Sequence, residues 1–401
     1  MDRNDLTPHG RDESRPFRCG EGETPASHGL LPLSAPERGL GGEVILADGG
    51  EVSLLDAAAL TSFFRTVPEL RRVLPIQRIE RIGGGQSNVT CRVVLLDRTV
   101  IVRRPPPGPL PPRAHDVLRE HRILSALAPD GSVPVPRPIA ACDDPSVIGV
   151  PFFVMEALDG DAIRWELPPD FAAAPDETRH EIGIQVVDAL AALHAVDPVA
   201  VGLGDLGPPA RYVPRQIKRW RGQLDHARVR PVPDLDWAAD WLDAHQPPEP
   251  VQVRIVHGDY RLDNVIFTQV RPPRLLGIVD WELATLGDPL ADLGWLLAFW
   301  REPTDEPHLL PILSPVMELP GFPSRSELAA RYADRTGTIL PDLTYYVVFA
   351  MWRMAVLLEN HWARHVKGTA AGFDFAYLET AGPAFAARLR RLAETSIGRA
   401  Q

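Results

Sequence analysis

Cysteine is scarce in this sequence, and long apolar runs are absent. Cys19, Cys91 and Cys142 are too few and too scattered for a disulfide framework or a zinc cluster, so we interpret them as reduced thiols. The most apolar runs, 290–300 and 345–358, are shorter than the ~20 residues that span a bilayer. The N-terminus also lacks the apolar segment of a secretory signal. We therefore expect a cytoplasmic protein with no membrane segment.

An excess of positive charge is also missing. The sequence has 42 Lys and Arg against 53 Asp and Glu, which gives a formal net charge of -11. This balance provides no general attraction to nucleic acid or to anionic membranes, so neither is expected as a partner. A length of 401 residues with 45% hydrophobic content favours a globular protein, either one large two-lobed unit or two domains.

The composition changes along the chain and predicts three parts. Residues 1–48 mix glycine, proline and charges of both signs without periodicity, which is typical of a disordered tail. Residues 49–157 are predicted to form an N-terminal nucleotide-binding lobe, an antiparallel sheet with one helix. Residues 158–401 are predicted to form a larger, mainly helical C-terminal lobe. The expected fold class is α+β.

Local patterns predict the elements of each lobe. Apolar residues at helical spacing predict helices over 54–64, 117–127 and 182–193. Short segments rich in β-branched residues predict strands at 76–82, 89–96, 99–103, 253–256, 265–267 and 275–279. Residues 147–158 are predicted to form two further strands, and the boundary between the lobes is placed after them.

The most informative stretch of the sequence is 256–264, followed by Val279-Asp280-Trp281-Glu282. It places Asp259, Asn264 and Asp280 in that order. Phosphoryl transfer to a hydroxyl needs one carboxylate for the hydroxyl proton and hard oxygen ligands for Mg²⁺. The order predicts Asp259 as the catalytic base and Asn264 and Asp280 as metal ligands, with ATP and Mg²⁺ as cofactors.

A His-Gly-Asp sequence alone is usually a turn, because Gly and Asp are turn formers. The downstream Asn264 and Asp280 reverse that interpretation. Asp263 is expected to be a solvated neighbour. His257 and His194 are expected to brace the catalytic loop by hydrogen bonds, since no serine or cysteine nucleophile pattern accompanies them.

A glycine-rich segment lies between the first two predicted strands. In it, the backbone of Gly84 and Gly85 and the side chains of Ser87 and Asn88 could close over phosphates, with a simple hairpin turn as the alternative. No Gly-x-x-x-x-Gly-Lys-Ser/Thr sequence is present, which disfavours a P-loop enzyme.

In chain order these residues follow the parts of a protein-kinase-like active site, and the sequence resembles the aminoglycoside phosphotransferase family over roughly residues 75–380. His257-Gly258-Asp259 followed by Asn264 matches the motif of that family. Residues 280–294 are similar to a branch that also occurs fused to acyl-CoA dehydrogenase domains. The resemblance implies a protein-kinase-like two-lobed fold and a small-molecule kinase with a hydroxyl compound as acceptor.

The phosphate-binding lysine of the family is replaced here. Alignment with the family places Arg103 at that position, and since strand side chains alternate between faces, Arg104 cannot enter the cleft with it. A guanidinium can bind phosphate oxygens through its fixed fork. The resemblance pairs Arg103 with Glu120, for which a solvated helix charge is the alternative. It also implies that the backbone of Glu156 and Ala157 contacts adenine.

The acceptor is the least explicit feature of the sequence. The branch resemblance implies a hydroxylated acyl compound; the alternatives are an aminoglycoside or other antibiotic, and a nucleotide-binding module without catalysis. Aromatic residues could line the acceptor pocket or belong to the core, and these are Trp295, Trp300, Tyr345, Trp352, Trp362 and Phe373. Charged residues nearby could orient a polar substrate, and these are Arg353, Glu359, His361 and Arg364.

Overall fold

The structure is a computed structural model that describes residues 55–82, 88–106, 115–307, 310, 313–370 and 374–397. The first elements are α1 (Ala57–Thr66), β1 (Arg78–Ile82), β2 (Val89–Val94), β3 (Thr99–Arg104), α2 (Val117–Leu127), β4 (Pro138–Cys142), α3 (Pro145–Ile148) and β5 (Phe152–Glu156). The later elements are β6 (Asp161–Ala162), α4 (Pro169–Ala172), α5 (Asp176–Ala195), α6 (Tyr212–Ala227), α7 (Pro233–Ala244), β7 (Arg254–Val256), β8 (Val265–Phe267), β9 (Leu275–Ile278), β10 (Thr285–Gly287), α8 (Pro289–Phe299), α9 (Arg325–Thr336), α10 (Thr344–Val366) and α11 (Leu378–Ile397). The predicted α+β class is confirmed.

Strands β1 to β5 form one antiparallel sheet with the order β1-β2-β3-β5-β4, which places β3 at its centre. The register pairs Arg103 on β3 with Thr90 on β2 and with Phe153 on β5. Because successive side chains of a strand point to opposite faces, Arg103 and Arg104 lie on opposite faces of the sheet. The three antiparallel strands predicted over 76–103 are confirmed.

Different helices cover the two faces of this sheet. Val100 belongs to an apolar cluster with Phe64 of α1, whereas Ile101 belongs to a cluster with Ile123 of α2. Helix α2 spans the residues predicted for it. Its first turn carries the buried Glu120, on the side of the sheet that Arg103 faces.

The prediction of two strands over 147–158 is wrong in its first half. Asp144-Pro145 begins the short helix α3, with the aspartate as N-cap, and Gly149 ends that helix with a φ of 84°. Only Phe152–Glu156 forms a strand, and its outer partner is β4, which begins at Pro138. A proline at the first position of a strand weakens the local strand pattern, which explains why β4 is not visible in the sequence.

Two short sheets support the segment between α7 and α8. Strand β7 pairs antiparallel with β10, and β6, β8 and β9 form a three-stranded antiparallel sheet. The strands predicted at 253–256, 265–267 and 275–279 are confirmed as β7, β8 and β9. Single turns of 3-10 helix follow β7 and β9, at Leu262–Asn264 and Trp281–Leu283.

Helices α8 and α10 pack closely in the helical part of the chain. Gly294 on α8 allows this approach, because a Cβ at that position would lie 2.4 Å from the Cβ of Tyr346 on α10. In the part of the chain that the structure describes, no helix, α10 included, is long and apolar enough to cross a bilayer.

The predicted lobe boundary after residue 157 falls just past the end of β5. It separates the five-stranded sheet from the mainly helical remainder, and the division into lobes stays a prediction. The predicted tail, residues 1–48, lies outside the described residues.

Candidate active site

The loop between β7 and β8 carries the predicted catalytic motif. It turns at Gly258, whose φ of 84° favours glycine. A Cβ at this position would also lie 2.8 Å from the carbonyl oxygen of Leu283. Glycine therefore lets the loop pass close to the segment that follows Asp280.

The side chain of Asp259 is held from several directions. Its Oδ1 accepts a hydrogen bond from Nε1 of Trp295 at 2.8 Å and lies 3.1 Å from Nε of Arg261. Its Oδ2 accepts a hydrogen bond from Nδ2 of Asn264 at 3.0 Å. Burial raises the pKa of the Asp259 carboxyl, and the nearby Arg261 opposes this rise. Asp259 is thus a fixed carboxylate with increased basicity, as a general base requires.

Asn264 and Asp280 lie at neighbouring ends of the β8–β9 hairpin. The register pairs Val265 with Ile278, and the amide of Val279 donates to the carbonyl oxygen of Asn264 at 2.9 Å. Asp280 has a φ of 68°, a left-handed conformation that is uncommon for a residue other than glycine. Backbone strain of this kind is concentrated at functional sites.

These two side chains offer a suitable ligand set for Mg²⁺. Because Nδ2 of Asn264 donates to the backbone oxygen and to Oδ2 of Asp259, the Oδ1 atom of Asn264 is the one available to a cation. Asp280 adds a carboxylate. Among the described residues, no group of three or more His, Cys, Asp and Glu side chains could hold a metal. A set of two protein ligands fits Mg²⁺, which retains waters and binds substrate phosphates.

Arg103 connects the five-stranded sheet to the metal-ligand segment. Its Nε lies 2.9 Å from Oε2 of Glu120, and its Nη2 lies 2.5 Å from Oδ1 of Asp280. The other oxygen of Glu120 accepts a hydrogen bond from Nδ2 of Asn88. Burial acts to lower the pKa of Arg103, but the charges of Glu120 and Asp280 outweigh burial and raise it. The expected ion pair between Arg103 and Glu120 is present, and Arg103 is a permanent cation here.

Only some of the other residues predicted to bind nucleotide belong to the part of the chain that the structure describes. Gly84, Gly85 and Ser87 lie outside the described residues. At the end of β5, the amide of Glu156 donates to the carbonyl oxygen of Arg137 at 3.0 Å. The Glu156 amide is therefore already bonded.

An open groove lies beside the end of β5. It is lined by residues of β2, β3 and β5 and by the segment after β5, and its residues include Arg92, Thr99, Val100, Glu156 and Ala157. The predicted adenine contacts, Glu156 and Ala157, both line this groove.

Buried side chains brace the catalytic loop from behind. Nε2 of His257 donates to the carbonyl oxygen of Val279 at 3.0 Å, which ties the loop to the residue after β9. Asp292, on α8, accepts hydrogen bonds from the amides of His257 at 2.5 Å and of Gly258 at 2.8 Å. Nε2 of His194 lies 3.4 Å from Oδ2 of Asp292. The bracing role expected for the two histidines agrees with these contacts.

The sequence gives only weak signals for two residues that contact Asp259, the predicted base. Trp295 lies on α8 among apolar residues, where an aromatic side chain is usually core. Arg261 comes two residues after Asp259 and also pairs with Asp263, with Nη2 3.1 Å from Oδ2. The expectation that Asp263 is a solvated neighbour is wrong, because the side chain forms this ion pair and is only 20% exposed.

Two of the charged candidates on α10 are bonded inside the protein. Arg353 is buried, and its Nη2 donates to the carbonyl oxygen of Gly258 at 3.0 Å. Glu359 is buried and pairs with Arg230 at 2.6 Å. The expectation that Arg353 and Glu359 orient a substrate is therefore wrong, since both are bonded inside the protein.

The aromatic candidates for an acceptor pocket have different positions. Trp300 lines a pocket beside the catalytic loop, and Trp295 bonds to Asp259. Of the others, Tyr345 and Trp352 are buried in the core, Trp362 packs against the guanidinium of Arg230, and Phe373 lies outside the described residues.

That pocket is narrow and mainly apolar. Its cavity volume is only about 30 Å³, and its apolar lining includes Trp165, Leu262, Leu296, Phe299, Trp300, Leu313 and Met317. The charged side chains among its lining residues are Arg164, Arg261 and Asp263. Because Arg261 also contacts Asp259, the pocket lies next to the predicted base.

Sequence comparison relates this arrangement to known proteins. The model of APH, the phosphotransferase enzyme family, matches residues 78–333. Acyl-CoA dehydrogenase family member 11 of Homo sapiens is 32% identical over 325 residues, which cover 80% of this chain and 39% of that protein. The chain thus spans less than half of the length of the curated relatives it matches.

Solved structures share the fold. A crystal structure from Ralstonia eutropha JMP134, provisionally assigned as an aminoglycoside phosphotransferase, has a TM-score of 0.71 and 33% identity, covering 85% of this chain and 98% of that one. A complex of the aminoglycoside phosphotransferase APH(4)-Ia with ADP and hygromycin B has a TM-score of 0.53 and 15% identity, covering 83% and 98%. The second likeness shows the fold alone. The expected kinase-like fold is confirmed.

Proposed function

This chain belongs to the APH phosphotransferase enzyme family, and we propose that it transfers the γ-phosphoryl group of ATP to a hydroxyl of a small molecule in the presence of Mg²⁺. The observation that carries the proposal is a connected set of contacts. Arg103 bonds to Asp280, Asp280 lies beside Asn264 in the β8–β9 hairpin, and Asn264 bonds to Asp259. A phosphate-binding cation, two metal ligands and a base thus converge, as phosphoryl transfer requires.

Each of these side chains has one task in the proposed reaction. Asp259 accepts the proton of the acceptor hydroxyl while that oxygen forms a bond to the γ-phosphorus, and the bond to ADP breaks with its electron pair on ADP. Asn264 and Asp280 would hold Mg²⁺, which when bound supplies positive charge against the phosphates. Arg103 supplies a second, permanent positive charge on the side of the sheet.

The nucleotide is proposed to lie in the groove beside the sheet. Because the amide of Glu156 bonds to Arg137, an adenine contact from Glu156 would use its carbonyl oxygen, and Ala157 would supply the adjacent backbone. Gly84, Gly85, Ser87 and the backbone of Asn88, whose side chain bonds to Glu120, are proposed to surround the phosphates. The complex of APH(4)-Ia with ADP supports ATP as the phosphoryl donor.

The proposed acceptor is a hydroxylated acyl compound, bound in the pocket beside the catalytic loop. The apolar lining suits an alkyl chain, for which the narrow cavity would have to widen, and Arg164 suits a carboxylate or phosphate on the acceptor. A polycationic aminoglycoside would meet two arginines and one aspartate there, which is unfavourable. The name of the human relative, an acyl-CoA dehydrogenase family member, supports an acyl substrate.

A nucleotide-binding module without catalysis is the alternative from another class. Replacement of the usual lysine by Arg103 favours it. The presence of Asp259, Asn264 and Asp280 in mutual contact disfavours it, because a chain without catalysis has no need to keep all three.

Phosphate transfer from labelled ATP to a panel of acceptors tests the proposal. The panel contains hydroxyacyl-CoAs, free hydroxy acids, aminoglycosides and amino alcohols, each with the wild type and with Asp259→Ala. Transfer to an acyl acceptor that falls on the order of 10²–10⁴ fold in Asp259→Ala is expected. Equal transfer by the two proteins would refute the role of Asp259, and transfer confined to aminoglycosides would refute the acyl acceptor.

A further inference from the structure

The catalytic base receives a hydrogen bond from a helix outside its own loop. Trp295 on α8 is 2% exposed, and its Nε1 donates to Oδ1 of Asp259 at 2.8 Å. Other indoles of this chain, those of Trp281, Trp300 and Trp352, donate to backbone carbonyl oxygens. The indole of Trp295 instead donates to the carboxylate predicted to do chemistry.

A buried cation holds this indole in place. The guanidinium carbon of Arg353, on α10, lies 4.4 Å from the centre of the Trp295 ring, a cation–π contact. Nη2 of the same arginine donates to the carbonyl oxygen of Gly258, the residue before Asp259, at 3.0 Å. Arg353 is 4% exposed. One side chain therefore contacts both the backbone of the catalytic loop and the indole that orients the base.

The two oxygens of Asp259 have different surroundings. Oδ1 receives the hydrogen bond from Trp295 and lies 3.1 Å from Nε of Arg261. Oδ2 receives a hydrogen bond from Asn264. Oδ1 therefore faces both a hydrogen-bond donor and a cation, whereas Oδ2 accepts one hydrogen bond and retains one acceptor position for the proton of a hydroxyl.

We propose that Trp295, held by Arg353, is a positioning residue that fixes the Asp259 carboxylate so that Oδ2 takes the proton of the acceptor hydroxyl. The inference rests on the proposed phosphotransferase function. The proton moves from the acceptor hydroxyl to Oδ2 as the acceptor oxygen bonds to phosphorus, and Trp295 keeps its own proton throughout. Small displacements of a catalytic group have large effects on the reaction rate. A hydrogen bond from the indole that fixes the carboxylate should therefore raise kcat.

Core packing alone would not require this arrangement. Trp295 also packs edge-on against Phe299, with ring centres 4.9 Å apart, and a phenylalanine could make that contact equally well. The substitution Trp295→Phe therefore removes the N–H donor while it keeps an aromatic ring. Trp352→Phe is the matched control, because Trp352 is fully buried, donates at 3.1 Å to the backbone oxygen of Leu235, and lies in the core.

Steady-state kinetics of these variants test the proposal. Trp295→Phe is expected to lower kcat by about 10 to 100 fold and to leave the KM for ATP within about twofold of the wild type. Trp352→Phe is expected to retain the wild-type kcat. Unchanged kcat in Trp295→Phe, or an equal loss in both variants, would overturn the positioning role.

A double-mutant cycle separates positioning from general structure. If Trp295 acts only through the base, Trp295→Phe has no further effect on the residual transfer of Asp259→Ala. A further loss in the double variant equal to that in the wild-type background would overturn the proposal. If Asp259→Ala itself keeps full activity, the proposed function fails instead, so the two failures are distinguishable.

Arg353→Lys provides a second route should Trp295→Phe fail to fold. Lysine keeps the positive charge but lacks the planar fork that reaches the Gly258 carbonyl and covers the indole at once. A fall in kcat with an unchanged KM for ATP is expected, and the loss should disappear in the Asp259→Ala background. An unchanged kcat, or a loss that persists in that background, would contradict the coupling between Arg353 and the base.

Discussion

Nη2 of Arg103 lies 2.5 Å from Oδ1 of Asp280, so the central strand of the sheet is bonded directly to a predicted metal ligand. The same guanidinium contacts Glu120 through Nε at 2.9 Å. A lysine has a single nitrogen and cannot reproduce this two-point contact in the same geometry. Arginine at this position therefore does more than retain a positive charge, because it contacts Glu120 and Asp280 at the same time.

The first prediction concerns this two-point contact. Arg103→Lys should lower kcat/KM for ATP by about tenfold, because the charge is kept but one contact is lost. Arg103→Met should lower it by about 10² fold or more, because a charge directed at the phosphates is removed. Arg104→Met, on the opposite face of the sheet, is the matched control and should keep the wild-type value. Steady-state kinetics at varied ATP provide the measurement, and equal losses at positions 103 and 104 would contradict the assignment.

The second prediction is a pH dependence. Burial raises the pKa of Asp259, and a general base must be ionised to accept a proton. The active form is therefore lost on acidification at a higher pH than for an ordinary aspartate, whose pKa is about 3.9. The value of kcat at saturating ATP and Mg²⁺, measured across the acidic and neutral range, should rise with pH along a limb centred above that value. A limb centred at or below about 4 would argue against Asp259 as the titrating base.

A third prediction concerns Mg²⁺. Asp280→Asn replaces a charged oxygen ligand by a neutral one of the same shape, so a higher Mg²⁺ concentration should be needed for half-maximal activity. Chelation of divalent cations should abolish transfer by the wild type. Titration of activity with Mg²⁺ measures both effects, with Asp288→Asn, at the N-cap of α8, as the control. The same Mg²⁺ requirement in the wild type, in Asp280→Asn and in Asp288→Asn would exclude Asp280 as a ligand.

The fourth prediction concerns stability. Asp292→Ala leaves the buried amides of His257 and Gly258 without their acceptor, and each loss costs about 1–3 kcal/mol. The free energy of unfolding should fall by about 2–6 kcal/mol. Asp116→Ala removes only the exposed N-cap of α2, so a loss of about 1 kcal/mol is expected for comparison. Denaturant unfolding of both variants gives the two values, and a smaller loss in Asp292→Ala than in Asp116→Ala would contradict the bracing role.

The fifth prediction addresses the acceptor pocket. Arg164→Met removes a cation from the pocket but leaves the catalytic base and its neighbours in place. The KM for an acidic acceptor should rise about tenfold or more, while the KM for ATP stays unchanged. An acceptor of the same chain length with a neutral end group should show no such difference between wild type and variant. An unchanged KM for the acidic acceptor would place its charged group elsewhere.

The sequence predicts the elements whose pattern is local. Helix α2 is found at its predicted bounds because its apolar residues recur at helical spacing after the capping Asp116. Strand β4 is not visible because Pro138 opens it and a bulge interrupts its pairing with β5. The segment 145–148 is rich in β-branched residues, yet the capping Asp144 and the following Pro145 make it a helix.

The residues of the candidate site also differ in whether a local sequence pattern predicts them. Asp259, Asn264 and Asp280 belong to short motifs that can be identified in the sequence, and the ion pair of Arg103 with Glu120 follows from the family resemblance. The contact of Trp295 with Asp259 joins residues far apart in the chain and has no local pattern. The same is true of the contact between Arg353 and the carbonyl of Gly258, since a buried arginine on an apolar helix cannot be told from an exposed one by spacing alone.

The most direct measurement is the transfer of labelled phosphate from ATP to a hydroxy acid or hydroxyacyl-CoA by the wild type and by Asp259→Asn. Thermal shift with Mg²⁺ and ATP confirms that both proteins bind the nucleotide. We predict a labelled phosphate ester from the wild type and a loss on the order of 10²–10⁴ fold in the variant. Nucleotide binding by both proteins with no labelled product from any hydroxyl acceptor, or equal product from both, would contradict a phosphotransferase with Asp259 as its base.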